Sequence, residues 1–349
     1  MAGPARGIGC CAVKILVVSQ MWPSEADPDF GSFVAQVCRA LEAQGHELEV
    51  VAIDRRGLGR AKYLRLARDA RRAAKRFQPD VVYAHFLTFA GPAAARAARA
   101  VGAPLVLTAH GTDVGNVERS RLAKALTRRG TNRASRVIAV SDWLRMRLVA
   151  EMPELAGKTE VIDCGVDMEM FHPRNGHEAR VRVGWEGEPP YYLFVGTLDE
   201  RKHVLPLVHA FTRIGEGSLA IVGTGPLRDE LWDRPRVKLC GPVPHAQVAE
   251  WMAAADYVCQ PTDGEAFGQV LLEAMACERS VLGTTRGGPP EFVPKDAGVL
   301  VDPTEEGEIE RGLRELAAYP SPNPAAREAA STHDVRVQAE RIAEILRSA

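Results

Sequence analysis

Long apolar runs are missing from this chain. Nowhere do 18 uncharged apolar residues follow one another, so no stretch reads as a membrane-spanning helix. The first 12 residues carry one basic residue, Arg6, and no apolar core of the signal-peptide kind. They are expected to form a loose leader. Metal-type cysteine pairing is also lacking: the seven cysteines are an odd number with no Cys-x2-Cys spacing, which argues against a disulfide framework or a zinc ribbon. Cys38, Cys240, Cys259 and Cys277 fall in apolar stretches and are expected as buried thiols in a reducing cytosol. No excess charge of one sign remains over the whole chain, whose net charge is −1.

What is present is a length of 349 residues, with 46% hydrophobic and 26% charged side chains. That is the composition of a globular protein too long for one ordinary core and suited to two domains. The charge is unevenly placed. Residues 1–165 hold 25 basic and 16 acidic residues (+9), and the remainder holds 19 and 29 (−10). An anionic partner is therefore expected for the first half only.

Residues 13–19 are an almost unbroken apolar run, as in a parallel strand covered on both faces. After a polar loop containing Gly31, Ser32 is the expected N-cap of a helix marked by Phe33, Val37 and Leu41 and ending at Gly45. Further strands are expected at 48–53, 81–84, 105–108 and 137–140, each followed by helical sequence. A second set is expected at 191–195, 219–222, 237–240, 257–259 and 281–282. This alternation predicts an α/β fold of two Rossmann-like, doubly wound parallel-sheet domains. The expected divisions are a leader at 1–12, a first domain at 13–170, a linker at 171–190, a second domain at 191–330 and a C-terminal helix at 331–349. That last helix carries Val335, Ala339, Ile342 and Leu346 on one face and is expected to cover the first domain. Ligands on such sheets bind beyond the C-terminal ends of the strands. Gly31, His85, His110, Asp113 and Ser141 fall at such ends.

The stretch Asp263-Gly-Glu-Ala-Phe-Gly-Gln-Val-Leu-Leu-Glu273 follows a short buried strand and a turn. Val270, Leu271, Ala274 and Met275 have helical spacing, so Glu265 belongs to a loop and Gly268 to the first turn of a helix. A helix N-terminus offers N–H groups and partial positive charge to phosphate. Glu273, one to two turns deeper, is placed to accept hydrogen bonds from a diol such as ribose. Taken alone, a Glu-x7-Glu pair is more often a solvated helix face than a site.

Other motifs change that weighting. In order, the chain carries Lys14-Ile-Leu-Val-Val-Ser, Thr108-Ala-His-Gly-Thr-Asp113, Val137-Ile-Ala-Val-Ser141 and Val161-Ile-Asp-Cys-Gly-Val-Asp167. Then come Phe194-Val-Gly-Thr-Leu-Asp-Glu-Arg-Lys202, Ile221-Val-Gly-Thr-Gly-Pro226, Gly241-Pro-Val-Pro-His245, the glutamate stretch and Gly287-Gly-Pro-Pro-Glu291. With these the sequence resembles glycosyltransferase family 4, the retaining Glu-x7-Glu enzymes of the GT-B fold, over nearly its whole length. The resemblance implies two domains facing a cleft, with acceptor on the N-terminal side and sugar nucleotide on the C-terminal side. It implies that Glu273 binds the nucleotide ribose and Glu265 lies near the donor sugar. Phe267, Gly268 and Gln269 would supply backbone contacts to sugar and diphosphate, and Gly196 and Gly31 would allow close backbone approach. Arg201 and Lys202 would clamp the diphosphate, so no metal is expected. His110 resembles the cleft histidine that approaches the donor sugar; His85 is open between an acceptor-site and a structural role.

The match has gaps. Thr197 stands where many members place Arg, which removes a cation that Arg201 is expected to replace. Cys164 stands where Asn is frequent and is given no ligand role. Gly223-Thr-Gly225 is no dinucleotide site, because position 228 is Arg and the Gly-rich fingerprint is incomplete.

Residues 55–76 contain ten basic residues and one acid, Asp69, with Leu58, Tyr63, Leu64 and Leu66 interleaved. Such a run is a solvated helix face or a surface for anionic lipid, at about 1 kcal/mol per basic residue; no nucleic-acid motif accompanies it. The expected function is metal-independent hexosyl transfer from a UDP-, GDP- or ADP-sugar, with no other cofactor. The acceptor is expected to be a glycan or glycolipid, such as a lipid-linked or cell-envelope polysaccharide precursor. The expected location is cytoplasmic, peripheral on the inner face of the plasma membrane if the basic run docks there. A nucleotide-sugar epimerase of the same fold and a non-catalytic, membrane-associated sugar-nucleotide binder stand as alternatives.

Overall fold

The computed structural model describes residues 12–57, 59, 61–231 and 234–349. Residues 1–11 of the leader, with Cys10 and Cys11, and Leu58 and Arg60 of the basic run lie outside the described residues. In the first half, strands β1 (Lys14–Ser19), β2 (Glu47–Ala52), β3 (Val81–His85), β4 (Leu105–Ala109), β5 (Arg136–Ala139) and β6 (Thr159–Val161) alternate with helices. These are α1 (Ser32–Ala43), α2 (Ala61–Phe77), α3 (Ala90–Val101), α4 (Thr112–Arg119), α5 (Arg121–Thr131) and α6 (Asp142–Glu151). After α7 (Gly176–Val183) the second half contributes β7 (Tyr191–Val195), β8 (Ser218–Val222), β9 (Val237–Gly241), β10 (Tyr257–Cys259), β11 (Ser280–Thr284) and β12 (Gly298–Val301). Its helices are α8 (Val204–Ile214), α9 (His245–Ala254), α10 (Gln269–Ala276), α11 (Glu308–Leu316) and α12 (Pro324–Ser331), and α13 (Val335–Ser348) follows them.

Each half is one six-stranded parallel sheet, in the orders β2-β1-β3-β4-β5-β6 and β12-β11-β10-β7-β8-β9. The expected pair of doubly wound sheets is therefore present. In both, sequence order reverses beside the first strand, which opens a crevice at the strands' C-terminal ends. Burial explains the apolar runs: Ile15, Leu16, Val17 and Val18 of β1 are fully buried, because helices cover both faces of the sheet. Each such side chain contributes about 1.5–3 kcal/mol, an upper estimate since denatured chains are partly compact.

The chain passes to the second half just after Val166 and returns just before Val335, and the two passages lie side by side. Val166 donates its N–H to the His333 carbonyl at 2.8 Å, and Val335 donates to the Val166 carbonyl at 2.9 Å. His333 Nδ1 lies 2.9 Å from an Asp163 carboxylate oxygen. Helix α13 then packs on α1, as its apolar face required, and Arg341 donates to the Val161 carbonyl at 2.9 Å.

Several local expectations are corrected. Gly31, in the left-handed region at φ 80°, is the N-cap of α1, and Ser32 is the first helical residue. The stretch expected as a linker contains α7, capped by the Asn175 side chain. The basic helix begins at Ala61, not at Arg55; Arg56 lies in the preceding loop, paired with Asp27 and Asp29. Cys240 is half-buried rather than buried. Strands β6 and β12 add to those expected.

Candidate active site

The second-half wall is built on the loop between β10 and α10. Main-chain bonds hold it on both sides: Asp263 N–H donates to the Arg201 carbonyl at 2.9 Å, and Glu265 N–H donates to the Arg286 carbonyl at 3.1 Å. Gly288 N–H donates to the Glu265 carbonyl at 2.9 Å. Sheet order explains these partners, because β10 lies between β7 and β11. The loops after all three strands therefore meet, although their residues are far apart in sequence.

That meeting sets Lys202 Nζ 2.7 Å from Glu265 Oε2, with side chains 14% and 16% exposed. Burial pushes the Glu265 carboxyl up; the charge and hydrogen bond of Lys202 and the Arg201 charge outweigh it and hold the group below the usual carboxylate range. Glu265 is thus a carboxylate already paired with a cation. Asp199 caps the short turn that carries both cations, accepting from the Lys202 N–H at 3.1 Å. Arg201 is exposed beside the pair and makes no salt bridge among the described residues. Thr197 brings no charge to this wall.

Helix α10 starts from Gly268, at φ 112°, so the first N–H groups of the helix open at the end of the loop. The Phe267 ring is buried against Phe292, centroids 4.8 Å apart; only its main chain is left for a ligand. The Gln269 side chain is likewise committed, donating to the Gly165 carbonyl of the first half at 2.7 Å. Glu273 is buried, with Oε1 3.0 Å from His245 Nε2. Burial pushes the His245 imidazole down, but the charge and hydrogen bond of Glu273 outweigh it and raise the group above its ordinary value. Gly196, just past β7, donates its N–H to the Val222 carbonyl at 2.9 Å.

The first-half wall is the turn between β4 and α4. Asp113, 1% exposed, accepts backbone N–H bonds from Leu87 at 2.9 Å, His110 at 3.1 Å, Gly111 at 2.9 Å and Val114 at 3.1 Å. It joins the ends of β3 and β4 and fixes the His110–Gly111 turn. Burial raises its carboxyl above the usual range, and the four N–H donors pull it part of the way back. His110 Nε2 lies 3.0 Å from His85 Nδ1, and His110 Nδ1 lies 3.8 Å from Cys164 Sγ. Both ring nitrogens therefore face protein partners, and Phe33 and Phe86 close on the ring at 4.9 and 4.7 Å. Burial pushes His85 down to about 3 and, together with the neighbouring His85, His110 well below its ordinary value. Both are neutral at physiological pH. Such a His110 offers the cleft its main chain and ring edge rather than a titrating nitrogen. His85 is buried, so it serves the wall as a support.

The walls touch. The Ser141 hydroxyl donates to the Ala266 carbonyl at 2.5 Å, and the Glu291 carboxylate accepts the N–H groups of Asp142 and Trp143 at 2.8 Å each. A carboxylate is favoured at the start of α6 by the partial positive charge there. A Cβ at Gly111 would stand 2.5 Å from that of Ala266. Gly31 has no such role at the contact: a Cβ there would strike Met21 of its own loop at 2.8 Å. Between the walls lies a cleft of about 1070 Å³ bounded by Arg119, Trp143, Arg147, Arg201 and Asp263. A smaller recess of about 230 Å³ beside it reaches His110 and Glu265. Sequence motifs single out His110, Glu265, Arg201 and Lys202. They miss Trp143, Arg119 and Arg147, which carry no local signal. Among the described residues no cluster of three His, Cys, Asp or Glu side chains could hold a metal ion. No helix among them is long and apolar enough to cross a membrane.

Two parallel α/β sheets facing a cleft at their C-terminal ends define the GT-B architecture. Solved structures agree. Sucrose-phosphate synthase from Thermosynechococcus elongatus superimposes with a TM-score of 0.79 at 21% identity, covering 96% of this chain and 98% of that one. HepE of Anabaena, in complex with UDP and glucose, gives 0.76 at 22%, covering 97% and 100%. The sequence model described as Glycosyltransferase Family 4 matches residues 31–170, and that described as Glycosyl transferases group 1 matches residues 189–318. The chain belongs to this family of glycosyltransferases.

Among curated relatives, the teichuronic acid biosynthesis glycosyltransferase TuaC of Bacillus subtilis is 31% identical over 231 residues, 64% of this chain and 58% of TuaC. A D-inositol 3-phosphate glycosyltransferase of Catenulispora acidiphila is 29% identical over 271 residues, 67% of this chain and 63% of that protein. The chain thus spans about three fifths of the length of these relatives.

Proposed function

We propose that this protein transfers a hexosyl unit from a nucleoside-diphosphate sugar to an acceptor hydroxyl with retention of configuration. The observation that carries the proposal is the Lys202–Glu265 pair at 2.7 Å, set beside Arg201 at the start of α10 and opposite the His110 wall. Glu273, joined to His245, takes the ribose hydroxyls, and the main chain at Phe267, Gly268 and Gln269 meets sugar and diphosphate. Gly196 lies on the same side. Gly31, in the first-half loop after β1, lets the backbone approach the diphosphate or acceptor from the other wall.

In the reaction the bond from the anomeric carbon to the diphosphate oxygen breaks, and charge builds on the leaving group. Arg201 and Lys202 stabilise that charge in place, which supports transfer without a metal ion. The acceptor hydroxyl approaches on the same face and gives its proton to the departing diphosphate oxygen as the new glycosidic bond forms. Glu265, held by Lys202, stabilises the positive sugar electrostatically; a carboxylate so paired is a poor covalent nucleophile. No other cofactor enters this scheme.

The test is incubation with UDP-, GDP- and ADP-hexoses, with and without chelator, followed by nucleoside diphosphate release and NMR of the product anomer. An inverted product or strict dependence on a divalent metal would overturn the mechanism. Donor epimerised without an acceptor would establish an epimerase, and binding with neither transfer nor hydrolysis a non-catalytic binder.

The acceptor proposed is a glycan or glycolipid reached at an anionic membrane surface. Support comes from α2, where Leu64 is 77% exposed and Arg71 and Lys75 form no ion pair among the described residues. Arg65, Arg68 and Arg72 share the single acid Asp69. The protein would then work in the cytoplasm on the inner face of the plasma membrane. Equal sedimentation with neutral and anionic vesicles at low salt would remove the membrane part of the reading.

A further inference from the structure

The recess of about 230 Å³ is unevenly charged. Three guanidinium groups line it, those of Arg119, Arg147 and Arg201, against one carboxylate, Glu265. That carboxylate is already paired with Lys202. Arg147 stacks over Trp143, its guanidinium carbon 4.3 Å from the ring centroid, and both its Nε and Nη2 donate to the Glu118 carboxylate, which leaves its Nη1 edge for a ligand. Its position is fixed by two partners, which is what a binding arginine needs. Arg119, at the end of α4, makes no ion pair among the described residues. Counting Glu118, Glu265 and Lys202 with the three arginines leaves an uncompensated positive charge in a space of monosaccharide size.

Where that charge sits decides what it serves. Arg119 and Arg147 come from the first half, on α4 and α6, while the diphosphate cations Arg201 and Lys202 come from the second. The recess and the wider cleft are lined by neither Glu273, His245, Gly196 nor Gly268, the residues of the nucleotide end. Arg201 lines the same recess, so the two first-half arginines stand beside the diphosphate cation on the first-half wall, the side from which an acceptor approaches. The wider cleft does add Asp199, Glu200 and Asp263. Asp199 is used in capping the Lys202 turn and Asp263 is paired with Arg286. These three acids are absent from the smaller recess.

We propose that Arg119 and Arg147, with Trp143 as a platform, form a subsite for an anionic group, carboxylate or phosphate, carried on the acceptor sugar. This rests on the transfer reading above. Trp143 presents its ring edge to Gly264, 3.7 Å from where a Cβ there would stand, so the platform spans both walls and an apolar sugar face can lie on it. A guanidinium fork binds carboxylate or phosphate through two parallel hydrogen bonds. An acceptor lacking that charge would leave Arg119 without a counter-charge and Arg147 with Glu118 alone.

The test is calorimetric titration of the full-length protein saturated with UDP, which fills the Arg201–Lys202 end. The probes are methyl glucoside, methyl glucuronide and glucose 6-phosphate. The expected result is at least tenfold tighter binding of one or both charged sugars than of the glucoside, which also tells a carboxylate from a phosphate subsite. In Arg119→Gln, an exposed position that spares the fold, that preference falls at least fivefold and UDP affinity changes less than twofold. Equal binding of all three probes overturns the proposal. So does a tenfold loss of UDP affinity in Arg119→Gln, which would place the arginine on the diphosphate in place of the cation that Thr197 lacks. If no nucleoside diphosphate binds, the transfer reading fails by itself. The three probes are then compared without UDP, where a tenfold preference for a charged sugar still supports the subsite and equal binding still overturns it.

Discussion

Gly111 and Ala266 face each other across the cleft so closely that a Cβ on the first would stand 2.5 Å from the Cβ of the second. The contact sets how near the His110 wall comes to the Glu265 loop. Gly111→Ala is expected to lower kcat/KM at least tenfold, partly through this clash and partly because φ 108° strains any L side chain. Ala266→Gly in the same chain removes the clash and leaves the strain. The double variant should recover part of the activity, and a double-mutant cycle measures that coupling. Strict additivity would mean that the walls do not meet in the working enzyme.

Glu265→Gln leaves Lys202 without its counter-charge in a site where both side chains are mostly buried. Removing one partner of a buried pair costs about 3–5 kcal/mol, so a clear fall in urea midpoint at pH 7 is expected, with transfer reduced at least a hundredfold. The folded-state pKa of Glu265 lies below its ordinary 4.5. Its contribution to stability is therefore complete above that value and lost as pH falls through the folded one. The stability gap between wild type and Glu265→Gln should narrow in acid; a gap constant to the most acid folded sample would contradict the pairing.

His85 and His110 act on the same acid limb of the pH profile, from a higher starting pH. Both are held neutral by burial, His85 down to about 3, against an ordinary 6.5. As pH drops below 6.5 the unfolded chain takes up protons that the folded chain refuses, so stability falls with acid. His85→Gln removes one such group. Its urea midpoint is expected to decline less steeply than that of wild type between pH 6.5 and 4.5. Parallel declines would place the acid sensitivity elsewhere.

The His245–Glu273 pair works the other way. His245 is raised above 6.5, so its contribution is complete below pH 6.5 and is lost as pH rises through the folded value. The melting-temperature difference between wild type and His245→Gln should be largest near pH 6 and shrink on the alkaline side. Glu273→Ala is expected to weaken nucleoside diphosphate binding at least tenfold in calorimetry, with a smaller effect on acceptor KM. Unchanged nucleotide affinity would remove the ribose role.

Much of this architecture is legible in the sequence. Buried parallel strands are apolar on both faces, so β1, β3, β4 and β7 stand out as runs of aliphatic and aromatic residues. Strand β6 does not, because Thr159–Val161 is a three-residue edge strand that is only partly buried. Helix α7 is hidden for a related reason: Ala179 is its only buried residue, so no apolar stripe marks it. Ser32 has the side-chain chemistry of a cap, while the backbone uses the left-handed freedom of Gly31 instead. In the site, family motifs mark Glu265, Lys202 and His110 singly, but their pairing depends on sheet order. That order brings the loops after β7 and β10 together and sets Lys202 against Glu265 across 63 positions of sequence. Arg119 and Arg147 carry no local signal. They matter only because α4 and α6 pack together beside the same recess.

The paired passages of chain at Val166 and Val335 have a mechanical consequence. Two crossings placed side by side suspend the halves from one pivot, since a swing about that point stretches neither. Gln269 is bonded to Gly165, one residue from the pivot, so the start of α10 moves least in such a swing. The bonds of Ser141 to Ala266 and of Glu291 to α6 are the ones an opening motion has to break. Under the proposed transfer reading, a nucleotide held at the start of α10 would sit close to the pivot, with His110, Arg119 and Arg147 on the far arm.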